Sequence, residues 1–181
     1  MAFDSKSGIV VTYLLHGIKT CKCDAYMELP VRLTRYTDFA IRVMLYLAAH
    51  EGRLCSIGEI AKAHDISQNH LMKVASDLAG SGYVQSLRGR GGGLRLGRPA
   101  NEINIGQMIR HTEGKVDLVG CGECALAPAC GMVCAFRDAV ETFFGTLERY
   151  SLADIMATGH PDRLRQILAA ETQPSGLLQS I

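Results

Sequence analysis

SQNHLMKVASDLAGSGYVQSLRGRGGGLRLGRP, residues 67–99, changes its period near the middle. In its first part Leu71, Val74, Ala75 and Leu78 recur at helical spacing, which predicts a helix that Ser67 caps and that runs to about Ala79. Gly80 and Gly82 stop it. Residues 83–88 then read as a strand, 89–93 as a tight glycine turn, and 94–96 as the returning strand. A helix followed by a hairpin is the second half of a winged helix-turn-helix.

The first half lies directly upstream. Residues 36–50 place Phe39, Ala40, Val43, Tyr46 and Leu47 on one helical face, and Gly52 ends that helix. Ser56-Ile-Gly-Glu59 is a capping box, in which the Ser and Glu side chains satisfy each other's free backbone amides. It opens a short helix through Ile60, Ala61 and Ala63, and the turn His64-Asp65-Ile66 leads into the helix capped by Ser67. Lone Cys55, just before the capping box, reads as core.

Downstream, Pro99 marks the exit from the hairpin, and a short helix is expected over residues 105–111. A cysteine-rich loop spans residues 121–134, and a long helix covers about 133–150. That helix carries Val133, Phe136, Val140, Phe143, Phe144 and Leu147, more apolar surface than so small a unit hides alone, so a second copy is the expected cover. The expected fold is mainly α with a small β wing. Residues 31–99 form the DNA-binding domain, 100–156 the cysteine loop and dimerisation helix, and 157–181 a tail. Residues 1–30 lack core periodicity. Organised sequence begins at Val31, which is the expected native start, and Cys21 and Cys23 would then have no role.

The 181 residues are 48% apolar and 20% charged, as in an ordinary globular protein. The longest apolar run, GIVVTYLL at residues 8–15, is far short of the roughly 20 residues that span a bilayer and lacks the flanks of a signal peptide. A cytoplasmic location follows as the expectation, with the seven cysteines as thiols or metal ligands rather than disulfides. A net charge of +1 conceals an asymmetry. Residues 31–98 hold ten Lys/Arg against five Asp/Glu, whereas residues 113–154 hold three against seven. The first half is the one suited to a polyanion.

Base reading needs short polar donors near the N-terminus of the second helix, directed away from the core. Ser67, Gln68, Asn69 and His70 fit that place. Gln and Asn pair bidentately with adenine, and Lys73 suits a phosphate. The hairpin adds Arg88, Arg90, Arg95 and Arg98 with no acidic residue, and its glycines allow close approach to a phosphate or a narrow minor groove. The missing Lys-Ser/Thr and the missing strand-to-helix context argue against a nucleotide cradle, and DNA is the better reading.

Cys121-Gly-Glu-Cys124-Ala-Leu-Ala-Pro-Ala-Cys130-Gly-Met-Val-Cys134 gathers four thiols within fourteen residues. Such spacing points to a metal or redox centre. Tetrahedral zinc, an iron–sulfur cluster and a thiol/disulfide switch all suit it. No flavin or substrate motif accompanies the thiols, so an electron-transfer enzyme would leave the DNA-reading surface without purpose.

The opening Arg32-Leu-Thr-Arg-Tyr-Thr-Asp38, the helix Ser67-Gln-Asn-His-Leu-Met-Lys73, the arginine–glycine wing ending at Pro99 and the segment Tyr150-Ser-Leu-Ala-Asp154 together resemble the NsrR/IscR group of bacterial winged-helix regulators over residues 31–156. The reading helix and the Ala-Pro-Ala before Cys130 are most similar to its nitric-oxide-sensing branch. The resemblance implies a homodimeric repressor, not an enzyme, bound to an operator in double-stranded DNA. It carries one cluster per subunit, [2Fe–2S] or [4Fe–4S], on Cys121, Cys124 and Cys130. The fourth ligand it implies is Asp38 from the other subunit, with Cys134 as the alternative. Nitric oxide is the implied signal, and sensing of iron or cluster supply is the runner-up. Two features depart from the family pattern: the gap between Cys121 and Cys124 is short, and Cys134 is extra, with a buried place in the long helix as its expected position. IscR-like members often carry a histidine soon after the third cysteine, and none occurs here between Cys130 and His160.

Overall fold

A computed structural model describes residues 32–158 and 160–170; the readings made for residues 1–31 and 171–181, including Cys21 and Cys23, lie outside them. The first helix, α1 (Arg35–Ala49), starts where Thr34 accepts a hydrogen bond from the Thr37 amide. It buries Ala40, Val43, Met44, Tyr46 and Leu47. The expected capping box opens α2 (Ile57–Ala63), with both reciprocal Ser56–Glu59 bonds formed. Asp65 takes a left-handed φ of +50° in the turn that follows, and α3 (Gln68–Gly80) buries the expected Leu71, Val74, Ala75 and Leu78. Ser67 stands at the N-cap of α3, but its hydroxyl makes no cap hydrogen bond, contrary to expectation. Its carbonyl is the group that receives the His70 and Leu71 amides.

The wing is a two-stranded antiparallel sheet of β1 (Val84–Leu87) and β2 (Gly93–Leu96), pairing Val84 with Leu96 and Leu87 with Gly93. Cys55 extends it as a one-residue third edge, exchanging backbone hydrogen bonds with Leu94 at 2.9 and 2.7 Å. Its thiol is fully buried, as expected. The glycine tip is set largely by the fold of the wing. Gly91 has φ +81°, and a Cβ on Gly92 would collide with the Leu87 carbonyl.

Beyond the wing, α4 (Ile105–Glu113) packs on α5 (Met132–Leu147). The long helix ends at Leu147 rather than near Tyr150. The chain turns there, and the Tyr150 carbonyl accepts the Ile105 amide at 2.9 Å. A second capping box, Ser151 with Asp154, then opens α6 (Leu152–Ala157), whose Leu152 amide reaches the Ile103 carbonyl at 2.8 Å. Within the stretch read as a tail, α7 (Pro161–Ala170) forms and contacts α1, with Leu168 buried.

One polar network fixes α1 against α2. The buried Tyr46 hydroxyl donates to Glu59 at 2.8 Å, Arg53 also binds Glu59, and the Ser56 amide completes the set. Burial alone would raise the Glu59 carboxyl, but the hydrogen bonds from Arg53, Tyr46 and Ser56 outweigh it and hold the group below its ordinary value. A carboxyl depressed on folding contributes stability above its unfolded value, about 4.3, and loses it as pH falls through the folded value. The urea midpoint of the wild type should therefore fall more between about pH 5 and 3 than that of Glu59→Gln. An equal fall in both would place the acid sensitivity elsewhere.

Candidate cluster loop and nucleic-acid interface

The outward surface of the helix-turn-helix carries the expected polar set, all exposed: Ser67, Gln68, Asn69, His70 and Lys73. Their side chains do not all project equally. The Gln68 amide lies over Gly58 of α2, 3.2 Å from where a Cβ on that residue would stand. The His70 ring stacks on Phe39 of α1, with centroids 6.1 Å apart and planes at 28°. In the wing, Arg88 and Arg90 are exposed beyond β1. Arg95 is held across the sheet by Gln85 at 2.8 Å, which extends its head along the exposed face of the wing. Arg98 stacks over Tyr83 at 4.6 Å and braces the base of the hairpin.

The cysteine loop leaves α4 at Gly114, whose φ is +65°. Asp117 organises its start, since one carboxylate oxygen accepts from the amides of Val119, Gly120 and Cys121 at 3.3, 2.9 and 3.3 Å. Those bonds, from Val119 first, hold the carboxyl below the ordinary aspartate range. Asp-x-x-Gly is a turn signal, and it was open to sequence reasoning but missed there.

From Cys121 onward the backbone climbs in three-residue steps. The Cys124 amide binds the Cys121 carbonyl, Ala127 binds Cys124, Cys130 binds Ala127 and Val133 binds Cys130, at 3.2, 3.0, 3.4 and 3.3 Å. Two of these steps are 3-10 turns, Cys121–Glu123 and Ala127–Ala129. Cys121, Cys124 and Cys130 thus occupy three landings of one staircase that runs into α5, with Ala127 on the landing between the last two. The Cys121 thiol is pushed up by partial burial first, then by Asp117 and by the neighbouring Cys124 and Cys130. Cys134 falls out of this register, in the first turn of α5, and it is exposed rather than buried. The helix face that was expected to hide it is bare within one chain.

The donor chemistry suits a thiolate-bound metal group. Even so, among the described residues no three His, Cys, Asp or Glu side chains converge on one point, so within one chain the thiols do not form a finished ligand set. Asp38 is half-exposed on α1 and pairs with Arg42 at 3.0 Å.

The loop is tied to the reading helix through the end of α4. Thr34 binds Glu113 through its amide and hydroxyl at 2.7 and 3.0 Å, and Thr37 binds Thr112 at 2.9 Å. Asp77 of α3 accepts from Tyr36 at 2.8 Å and meets His111 at 3.0 Å. Burial, then the bond to Asp77, pushes the Tyr36 phenol up to about 12. Sequence reasoning missed this junction, because nothing in the spacing of Tyr36, Asp77 and His111 reveals that they meet.

On the other side of α4, the apolar face of α5 is only partly covered. Phe144 is buried, whereas Phe143 and Met132 are exposed by 39% and 52%. No described helix is long and apolar enough to cross a membrane.

A helix-turn-helix with a basic wing, joined to a metal-suited loop, defines a winged-helix transcription regulator. The chain belongs to the Rrf2 family, described as "Iron-dependent Transcriptional regulator", whose model matches residues 33–158. It is 42% identical over 145 residues to the HTH-type transcriptional regulator NsrR of Bacillus licheniformis, covering 77% of this chain and all of that protein. It is 41% identical over 132 residues to the NsrR of Bacillus subtilis, covering 70% and 90%. Among solved structures it is similar to CymR, the global cysteine regulator of B. subtilis, with TM-score 0.55, 27% identity, and 70% and 97% coverage. The likeness to T. potens IscR, with TM-score 0.59, 23% identity, and 71% and 88% coverage, is one of fold. These relatives are regulators, and the chain is an NsrR-like Rrf2 regulator rather than an enzyme.

Proposed function

We infer that the chain is a cytoplasmic, homodimeric repressor that binds operator DNA and senses nitric oxide through an iron–sulfur cluster, one per subunit, on Cys121, Cys124 and Cys130. The observation that carries this reading is the cysteine staircase, built between α5 and the end of α4 that grips the reading helix. Residues 31–99 serve as the DNA-binding domain and 100–156 as the sensing and dimerisation unit. The partly bare face of α5 supports a second copy as its cover. The similarity to NsrR proteins supports the choice of signal.

When bound, the cluster supplies thiolate-held iron with which nitric oxide reacts. The rest is work for this chain. Asp117 presents Cys121, the staircase fixes the spacing of the three thiols, and Asp38 of the other subunit or Cys134 completes the set. Glu113 and Thr112 pass the position of the loop to Thr34 and Thr37 at the start of α1, while His111 passes it to Asp77 on α3. Ser67, Gln68, Asn69, His70 and Lys73 then meet the major groove, with Arg88, Arg90 and Arg95 on the flanking backbone. Only a difference in DNA affinity between the two states of the loop drives regulation, so the coupling amounts to about 1–3 kcal/mol.

The family description, which names iron, favours a second reading in which iron supply is the signal. An anaerobic gel shift on the protein's own promoter region separates the two. Stepwise nitric oxide should abolish binding at a few equivalents per cluster. Indifference to nitric oxide with loss of binding on iron chelation would establish the second reading instead, and a colourless, zinc-loaded protein would remove both.

A further inference from the structure

Large exposed apolar side chains among the described residues are concentrated in the second half of the chain, on the cysteine loop, α5 and α7. Leu87 at the end of β1 and Met72 are the exceptions in the basic half. Of these two, the one on the reading helix is Met72, 48% exposed. The inward stripe of α3, Leu71, Val74, Ala75 and Leu78, is complete without it. At 100° per residue, Asn69, Met72, Lys73 and Ser76 form the opposite stripe, and all four are exposed. Gln68 and His70 flank that stripe and lean on Gly58 and Phe39, toward the neighbouring helices. The most outward part of the helix is therefore an amide, a thioether, an ammonium and a hydroxyl.

Three of those four groups are the polar kinds that read base edges or phosphates. The fourth needs an apolar partner in the same groove. The major groove offers one apolar group, the C5-methyl of thymine. A flexible, polarisable thioether adapts to such a contact without a fixed angle.

We propose that Met72 is a specificity-determining residue that selects thymine by packing its side chain on the C5-methyl group, one turn along from the adenine-reading Asn69. The inference rests on the DNA-binding reading above. It adds an apolar element to a surface otherwise expected to read by hydrogen bonds.

The test uses the full-length protein and a duplex that the wild type enriches from a randomised pool. Each thymine of that duplex is replaced in turn by deoxyuridine, which lacks only the methyl group. At one or two positions per half-site the replacement should weaken wild-type binding about fourfold, the worth of burying one methyl-sized group. Met72→Ala, an exposed position whose melting temperature should match the wild type, should bind the thymine and deoxyuridine duplexes equally. Deoxyuridine sensitivity that persists in Met72→Ala, or none in the wild type, overturns the assignment of Met72. Failure to enrich any duplex overturns the DNA-binding reading itself.

Discussion

Cys124→Ala should give a colourless protein after anaerobic reconstitution, whereas Cys134→Ala should keep most of the visible absorbance of the wild type. The two thiols are ten residues apart and both exposed, so exposure does not separate them. Backbone register does. Cys124 is the middle of the three thiols and the second landing of the staircase, where its amide binds Cys121 and its carbonyl holds Ala127. Cys134 stands one residue past the landing at Val133, already on α5. The three thiols stand three and six residues apart, all in one three-residue register, and side chains three residues apart eclipse in 3-10 geometry. Removing the middle one leaves two of the three staircase thiolates, too few to retain a cluster that Cys thiolates hold. Iron and sulfide analysis beside the absorbance spectrum decides the matter, and equal loss in both variants would show that the ligand set includes Cys134.

The winged helix was legible in the sequence because each of its elements announces itself locally. The Ser56–Glu59 box, the Leu71-to-Leu78 stripe and the glycine tip between alternating segments are signals within a few residues, and the structure forms each of them. The thiol-rich loop was legible for the same reason. What stayed hidden depends on contacts between distant residues. No period links Tyr36 and Thr37 to Asp77 and Thr112, and no spacing says that Gln68 and His70 lean away from the outward stripe. The missing cap at Ser67 belongs here too. The residue type is right, but its hydroxyl does not turn onto the amides, and propensity cannot report a rotamer. The fourth ligand is harder still, since one candidate, Asp38, would have to come from a second chain.

Gly106→Ala should destabilise the protein by about 3 kcal/mol, the upper part of the range for overpacking a close contact. In an exposed helix the same change would stabilise by roughly 1 kcal/mol, because alanine is the better helix former. The sign reverses here because α4 and α5 touch at this residue. A Cβ on Gly106 would stand 2.7 Å from the Glu148 Cα, and backbone cannot step aside as a flexible side chain does. The same corner holds the Asn104 amide on the Glu148 carbonyl at 2.6 Å, Arg110 on Glu141 at 3.0 Å, and the Arg110 guanidinium 4.3 Å above the Phe144 ring. The ion pair is the conspicuous feature but the weaker one. Its partners are 37% and 60% exposed, so solvent screens the pair and Glu141→Ala should cost far less than Gly106→Ala. The melting temperature of Gly106→Ala should therefore fall by about 10 °C, at roughly 2–4 °C per kcal/mol for a chain of this size, and that of Glu141→Ala by much less. A Gly106→Ala protein as stable as the wild type would mean that α5 is not seated on α4 as described. The path from the cysteine staircase through α4 to the reading helix would then have to run another way.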